Sequence, residues 1–126
     1  MYVRVYDLKL GLLNTSIITA PGIYEMDQIS LSEARRMITE YGVDGLDSAI
    51  GHVSTAAVMS TLLGVDIPVN RQEFKQAEHQ SALVFKLNGR PPEGAILTAE
   101  EIEAIGYSFY ELHRHPNSAA AAIWHG

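Results

Sequence analysis

The chain has 126 residues, 47% of them hydrophobic and 19% charged, which suits one soluble globular domain with a real core. Its net charge of −6, with nine Lys and Arg against fifteen Asp and Glu, argues against sequence-independent binding of long DNA or RNA, because such binding draws on many basic contacts to phosphate. With zero cysteines there are no disulfides or thiolate metal sites. The lack of any apolar run near the roughly 18 residues of a membrane span, and of a signal-peptide pattern, leads us to expect a cytoplasmic protein.

In chain order, residues 2–13 mix alternation with a short apolar run, as an edge strand leading into a buried one would, and Asn14-Thr15-Ser16 reads as a polar strand end. Pro21-Gly22 marks a turn and Ile23 to Ile29 a second strand. Ser30-Leu31-Ser32-Glu33 is a capping box that predicts a helix to about Tyr41, stopped by Gly42, with Arg35 and Arg36 as solvent-facing charges. After the Gly45 loop, Ile50, Val53, Ala57, Met59 and Leu62 fall near helical spacing and predict a helix from about Ser48 to Leu63, ended by Gly64. Pro68 returns the chain to extended backbone.

Gln72–Gln76 and Ala82–Leu87 read as strands of a hairpin around Glu78-His79-Gln80. Asn88 to Gly94 reads as a loop with glycines at Gly89 and Gly94 and a stiff Pro91-Pro92 between them, suited to a lid. Thr98-Ala99-Glu100-Glu101 is a second capping box, with Leu97 and Ile102 placed as a hydrophobic staple, predicting a helix to about Ile105. Tyr107 to His113 reads as a last strand, with Tyr107, Phe109 and Glu111 on one side and Ser108, Tyr110 and Leu112 on the other. We expect one domain over residues 1–126, with a core of about 9–113 and a flexible tail at 114–126.

Chemistry concentrates in three stretches: Ser48-Ala49-Ile50-Gly51-His52-Val53-Ser54-Thr55, Val69-Asn70-Arg71, and Arg90-Pro91-Pro92-Glu93-Gly94. Together they hold a histidine, two arginines, a carboxylate and several hydroxyls, the parts of a phosphodiester site. His52 stands at a predicted helix start, where free backbone N–H groups and the helix dipole favour an anion without a metal. Taken singly, His52 suits a surface or capping role, Arg71 and Arg90 suit solvated charges, and Ser48, Ser54 and Thr55 suit helix caps. His113, His115 and His125 invite a metal reading, but no carboxylate or cysteine stands at a familiar ligand spacing, and we expect neither metal nor cofactor. Tyr107, Phe109 and Tyr110 suit core or interface packing better than base stacking.

The blocks Leu12-Leu13-Asn14-Thr15-Ser16, Ser48-Ala49-Ile50-Gly51-His52, Leu63 to Arg71, and Arg90-Pro91-Pro92-Glu93-Gly94 occur in order and resemble the YddF-like domain family, which includes the viral type III anti-CRISPR ring nucleases. The resemblance covers roughly Lys9 to Leu112. It implies a compact α/β (α+β) protein, a mixed β-sheet flanked by helices, forming a symmetric homodimer with cyclic tetra-adenylate lying across the two-fold axis. It implies cleavage of that ring, the messenger that switches on ancillary nucleases in type III CRISPR defence, to linear di-adenylates with 2′,3′-cyclic phosphates. Carried across by position, His52 matches the catalytic histidine, Arg71 and Arg90 the arginines that hold and stabilise the ligand, and Glu93 the functional carboxylate. Asn14, Thr15, Ser16, Ser48, Gly51, Ser54 and Thr55 join Arg71 as expected ligand contacts. A ribose 2′-OH is an internal nucleophile, so positioning, a proton donor for the departing 5′-oxygen and cations for the phosphorane suffice. The alternatives are a module that binds the ring without cutting it and, less compatible with the apolar Val53, Ala56, Ala57 and Met59, a small dimeric DNA-binding regulator.

Overall fold

Two capping boxes and three glycine stops set the helices. The computed structural model describes residues 8–14, 20–89 and 97–117. In helix α1 (Leu31–Tyr41) the Ser30 hydroxyl accepts from the Glu33 N–H at 3.1 Å, and the Ser30 N–H donates to the Glu33 carboxylate at 3.3 Å. Helix α3 (Ala99–Ile105) opens the same way on Thr98 and Glu101, with Leu97 and the buried Ile102 both in the core, as the staple requires. Helix α2 (Val53–Leu63) ends at Gly64, whose φ of 75° and ψ of 16° are left-handed and whose N–H donates to Ser60 at 2.9 Å.

Five strands, β1 (Leu10–Asn14), β2 (Ile23–Ile29), β3 (Leu46–Ser48), β4 (Ser81–Leu87) and β5 (Tyr107–His115), form one mixed sheet in the order β2-β5-β4-β1-β3. β1 pairs in parallel with both β3 and β4, while β5 runs antiparallel to β4 and β2. The first strand is thus central and buried, as its Leu-rich run requires. Its predicted edge portion at residues 1–7 lies outside the described residues, as do Thr15, Ser16, the Arg90–Gly94 part of the predicted lid and most of the predicted tail.

Side chains alternate between two faces. Leu10, Leu12, Leu83, Phe85 and Phe109 meet all three helices on one face, through Ala34, Met37 and Ile38 of α1, Val58, Met59 and Leu62 of α2, and Ile102 of α3. Leu13, Ala82, Val84 and Leu112 occupy the other face, where Phe74 covers them. The tip of the Phe74 ring points at Gly11: a methyl group there would come within 2.8 Å of one ring carbon and closer still to the tip. Gly11→Ala is therefore expected to push Phe74 outward and cost about 1–3 kcal/mol, read as a lower urea midpoint with an unchanged slope.

Two expectations are corrected. Gln72–Gln76 is not a strand, so there is no hairpin. The Gln76 side chain donates instead to the carbonyls of Gln80, just before β4, at 2.7 Å and Leu112 of β5 at 2.8 Å, fastening irregular backbone to the sheet. Ser48 begins no helix, since Leu46–Ser48 pairs with β1 and α2 starts only at Val53. Arg35 is exposed, as expected, and its Nε also donates to the Leu62 carbonyl at 2.8 Å, placing a cation at the α2 C-terminus.

The last strand runs past its predicted end to His115, and Arg114 is buried, donating to the carbonyls of Gln76 and, at 3.1 Å, Pro21. The ordered core thus continues beyond residue 113. At the same end His115 bonds Glu25 of β2 at 3.0 Å, and that bond together with the imidazole charge holds the Glu25 carboxyl below its ordinary range.

Candidate functional site

Parallel strands β3, β1 and β4 end on the same rim of the sheet, at Ser48, Asn14 and Leu87. In parallel sheets the rim beyond the carboxyl ends is where ligands gather, because the connections there are free to diverge and helices begin there. Here the chain leaves β3 through Ala49-Ile50-Gly51, reaches His52 and enters α2, while Asn88-Gly89 follows β4. Thr15-Ser16 follows β1 directly and Arg90 follows Gly89 in the chain. Among the described residues singled out from the sequence, Asn14, Ser48, Gly51 and His52 therefore belong to, or adjoin, one rim.

The turn into α2 is held by a set of hydrogen bonds. The Ala49 N–H donates to Leu12 of β1 at 2.9 Å, two residues before Asn14. The Ser48 hydroxyl donates to Pro68 at 2.7 Å and accepts from the Ile50 N–H at 3.2 Å. With 5% exposure and both functions of its hydroxyl engaged, Ser48 braces the turn. The Asn70 N–H donates to Ile50 at 2.8 Å, and the Asn70 and Gln72 side chains both donate to the Ser48 carbonyl, at 2.8 and 2.6 Å. Gln72 also donates to the Asp47 carboxylate at 2.9 Å. Asn70 and Gln72 were assigned no role from sequence; an amide side chain that satisfies a carbonyl some twenty positions away leaves no local pattern.

His52 is the N-cap of α2, extended at φ −125° and ψ 134°, with an exposed side chain that makes no capping bond. The first intrahelical bond runs from the Ala56 N–H to the His52 carbonyl at 3.0 Å, which leaves the N–H groups of Val53, Ser54 and Thr55 outside the helical ladder. Those donors and the helix dipole make this end attractive to an anion. Arg71 reaches the same place: its guanidinium donates to the Gly51 carbonyl at 3.3 Å, and a Cβ on Gly51 would stand 3.5 Å from its Nε. Gly51, Ser54 and Thr55 are half-buried beside it, and Asn14 is half-buried at the end of β1. The structure thus brings together His52, Arg71, Gly51, Ser54 and Thr55. Thr15, Ser16, Arg90 and Glu93 lie outside the described residues.

His113 and His115 belong to the opposite rim. His113 Nδ1 is 2.9 Å from the Ser81 hydroxyl, and the His113 and His115 rings meet edge to face with centroids 4.9 Å apart. Among the described residues, no group of three or more His, Asp and Glu is arranged to hold a metal ion. Tyr107 and Phe109 pack as part of the aromatic core, their centroids 5.8 Å apart.

Comparison with known proteins gives a consistent set. A family model described as STIV B116-like matches residues 10–109. YddF of Bacillus subtilis strain 168 is 38% identical over 108 residues, covering 85% of this chain and 98% of that protein. ORF117 of Acidianus two-tailed virus is 36% identical over 114 residues, covering 87% and 97%. The solved structure of B116 from Sulfolobus turreted icosahedral virus superposes with a TM-score of 0.73 at 29% identity, covering 83% of this chain and 98% of that one. The YddF resemblance read from four short blocks is borne out at the level of the family.

Proposed function

The chain belongs to the STIV B116-like family, and from that premise we propose that it is a ring nuclease, cutting cyclic tetra-adenylate into linear di-adenylates and so switching off type III CRISPR signalling. The observation that carries this reading is an exposed histidine at the N-cap of α2, followed by three N–H groups outside the helical ladder, with the Arg71 guanidinium bonded to the carbonyl of the preceding Gly51. A phosphate seated on those donors has a proton donor and a permanent cation next to it. The resemblance stated above supplies the ring as substrate.

In the proposed reaction the ribose 2′-oxygen attacks the adjacent phosphorus, the P–O5′ bond breaks, and His52 delivers a proton to the departing 5′-oxygen. Products carry a 5′-hydroxyl and a 2′,3′-cyclic phosphate. Arg71 and the α2 N–H groups offset the charge that builds on the phosphorane oxygens, a role that suits the rigid fork of an arginine. Arg90 is assigned the same task at the reacting phosphate, and Glu93 is assigned to orient the reacting ribose or His52. A symmetric homodimer presents two copies of His52 to a ring that shares its two-fold symmetry, and so makes two opposite cuts. Four phosphates then need only two such clusters, which reconciles an acidic protein with an RNA ligand. The protein would act in the cytoplasm, as an anti-CRISPR factor or as a cellular off-switch.

The test is incubation of the full chain with cyclic tetra-adenylate in excess EDTA, with chromatography of the products. Di-adenylates ending in 2′,3′-cyclic phosphate are expected. Ring recovered intact but bound to protein would replace the nuclease by a non-cleaving binding module.

A further inference from the structure

Two exposed valines that the proposed chemistry leaves unused belong to the segments that form the candidate phosphate position. Val53, the first residue of α2, is 75% exposed, and Val69 is 44% exposed. Val69 precedes Asn70, whose N–H donates to the Ile50 carbonyl at 2.8 Å. Arg71 reaches Gly51, next to His52, and Val53 follows His52 directly. Two exposed apolar side chains therefore belong to the two segments that meet at the anion-attracting end of α2.

A bare phosphate gains nothing from such side chains, whereas a nucleotide carries a flat apolar base one sugar away from its phosphate. We propose that Val53 and Val69 are the base-contacting residues of this site, each covering the face of a purine whose phosphate sits on the α2 N-terminus and Arg71. The inference rests on the ring-nuclease reading and adds to it the residues that prefer a large base. A purine covers more of a valine than a pyrimidine does, and the gain grows with the apolar area removed from water. Discrimination of this kind needs no hydrogen bond to a base edge.

The experiment compares dissociation constants, by rapid filtration before appreciable cleavage, for cyclic tetra-adenylate and cyclic tetra-uridylate, rings with the same phosphates and different bases. Wild type is expected to prefer the adenylate ring. Val53→Ser and Val69→Ser should each weaken that ring about 5-fold and the uridylate ring by less, since partial burial of one side chain is worth about that much. Val53→Ile should keep the preference. Both valines are exposed, so the melting temperature should hold and the variants should fold. Equal losses for both rings, or loss accompanied by dissociation in sedimentation, would make the valines a subunit contact and overturn the inference. Unchanged binding by the serine variants would overturn it too, with the nuclease reading intact. A wild type that neither binds nor cuts the adenylate ring would overturn both.

Discussion

His52→Ala is expected to lower single-turnover cleavage of cyclic tetra-adenylate by at least about 10²-fold, the lower range for loss of a general acid. Binding should change far less. The separation follows from where the ring stands: His52 caps α2 with its backbone, its side chain makes no capping bond, and the exposed imidazole can be removed without leaving a buried group unpaired. The donors expected to hold the phosphate belong to the backbone of α2 and to Arg71, and both persist in the variant. Dissociation constant, melting temperature and single-turnover rate measured on one preparation check the assignment. A variant that cuts at the wild-type rate moves the proton to another group, and one that loses binding and rate together makes His52 a ligand contact and not an acid.

The largest expected effect on stability is that of Phe85→Ala, about 3–5 kcal/mol, in the range for an aromatic ring removed from a close-packed core. Phe85 is 1% exposed on β4, between β1 and β5 in the sheet. Its ring centroid is 5.3 Å from that of Phe109 and 6.3 Å from that of Tyr107, so truncation leaves a cavity where two aromatic contacts had been. For a chain of 126 residues this should lower the melting temperature by roughly 10–20 °C. Calorimetry is the check, and a shift below a few degrees would mean that the helices collapse onto the vacated space. Val53→Ser provides the contrast, an exposed substitution that should leave the transition where it was.

Both predictions start from features that differ in how far the sequence reveals them. The helix starts at Ser30 and Thr98 were legible because a capping box closes its two hydrogen bonds within four residues, and the stops at Gly42 and Gly64 because a positive φ of 75° strongly favours glycine. The face assignment of β5 was legible for the same local reason, a period of two. His52 at a helix start was correct as well, although the helix begins five residues later than the periodicity around Ile50 implied. Ile50 is buried by the turn beneath α2, and burial of that kind imitates helical spacing.

The chain on its own therefore determined what short-range bonds and side-chain periodicity determine: the three helices with their stops and two of their starts, most of the strands, and the residue types able to handle a phosphodiester. The fold alone decided what depends on partners distant in the chain. Leu46–Ser48 is a strand only because β1 offers it an edge, and Gln72–Gln76 is not one because its amide side chains, turned to the sheet, bond the carbonyls of Ser48, Gln80 and Leu112. Alternation records which side chains face the protein; it does not record whether the backbone finds a ladder. The meeting of Arg71 with Gly51 and His52 has the same origin. It depends on Asn70, Gln72 and Ser48 closing a loop of about twenty residues around α2, and that closure rests on bonds between side chains and carbonyls distant in sequence, with no neighbour to announce them.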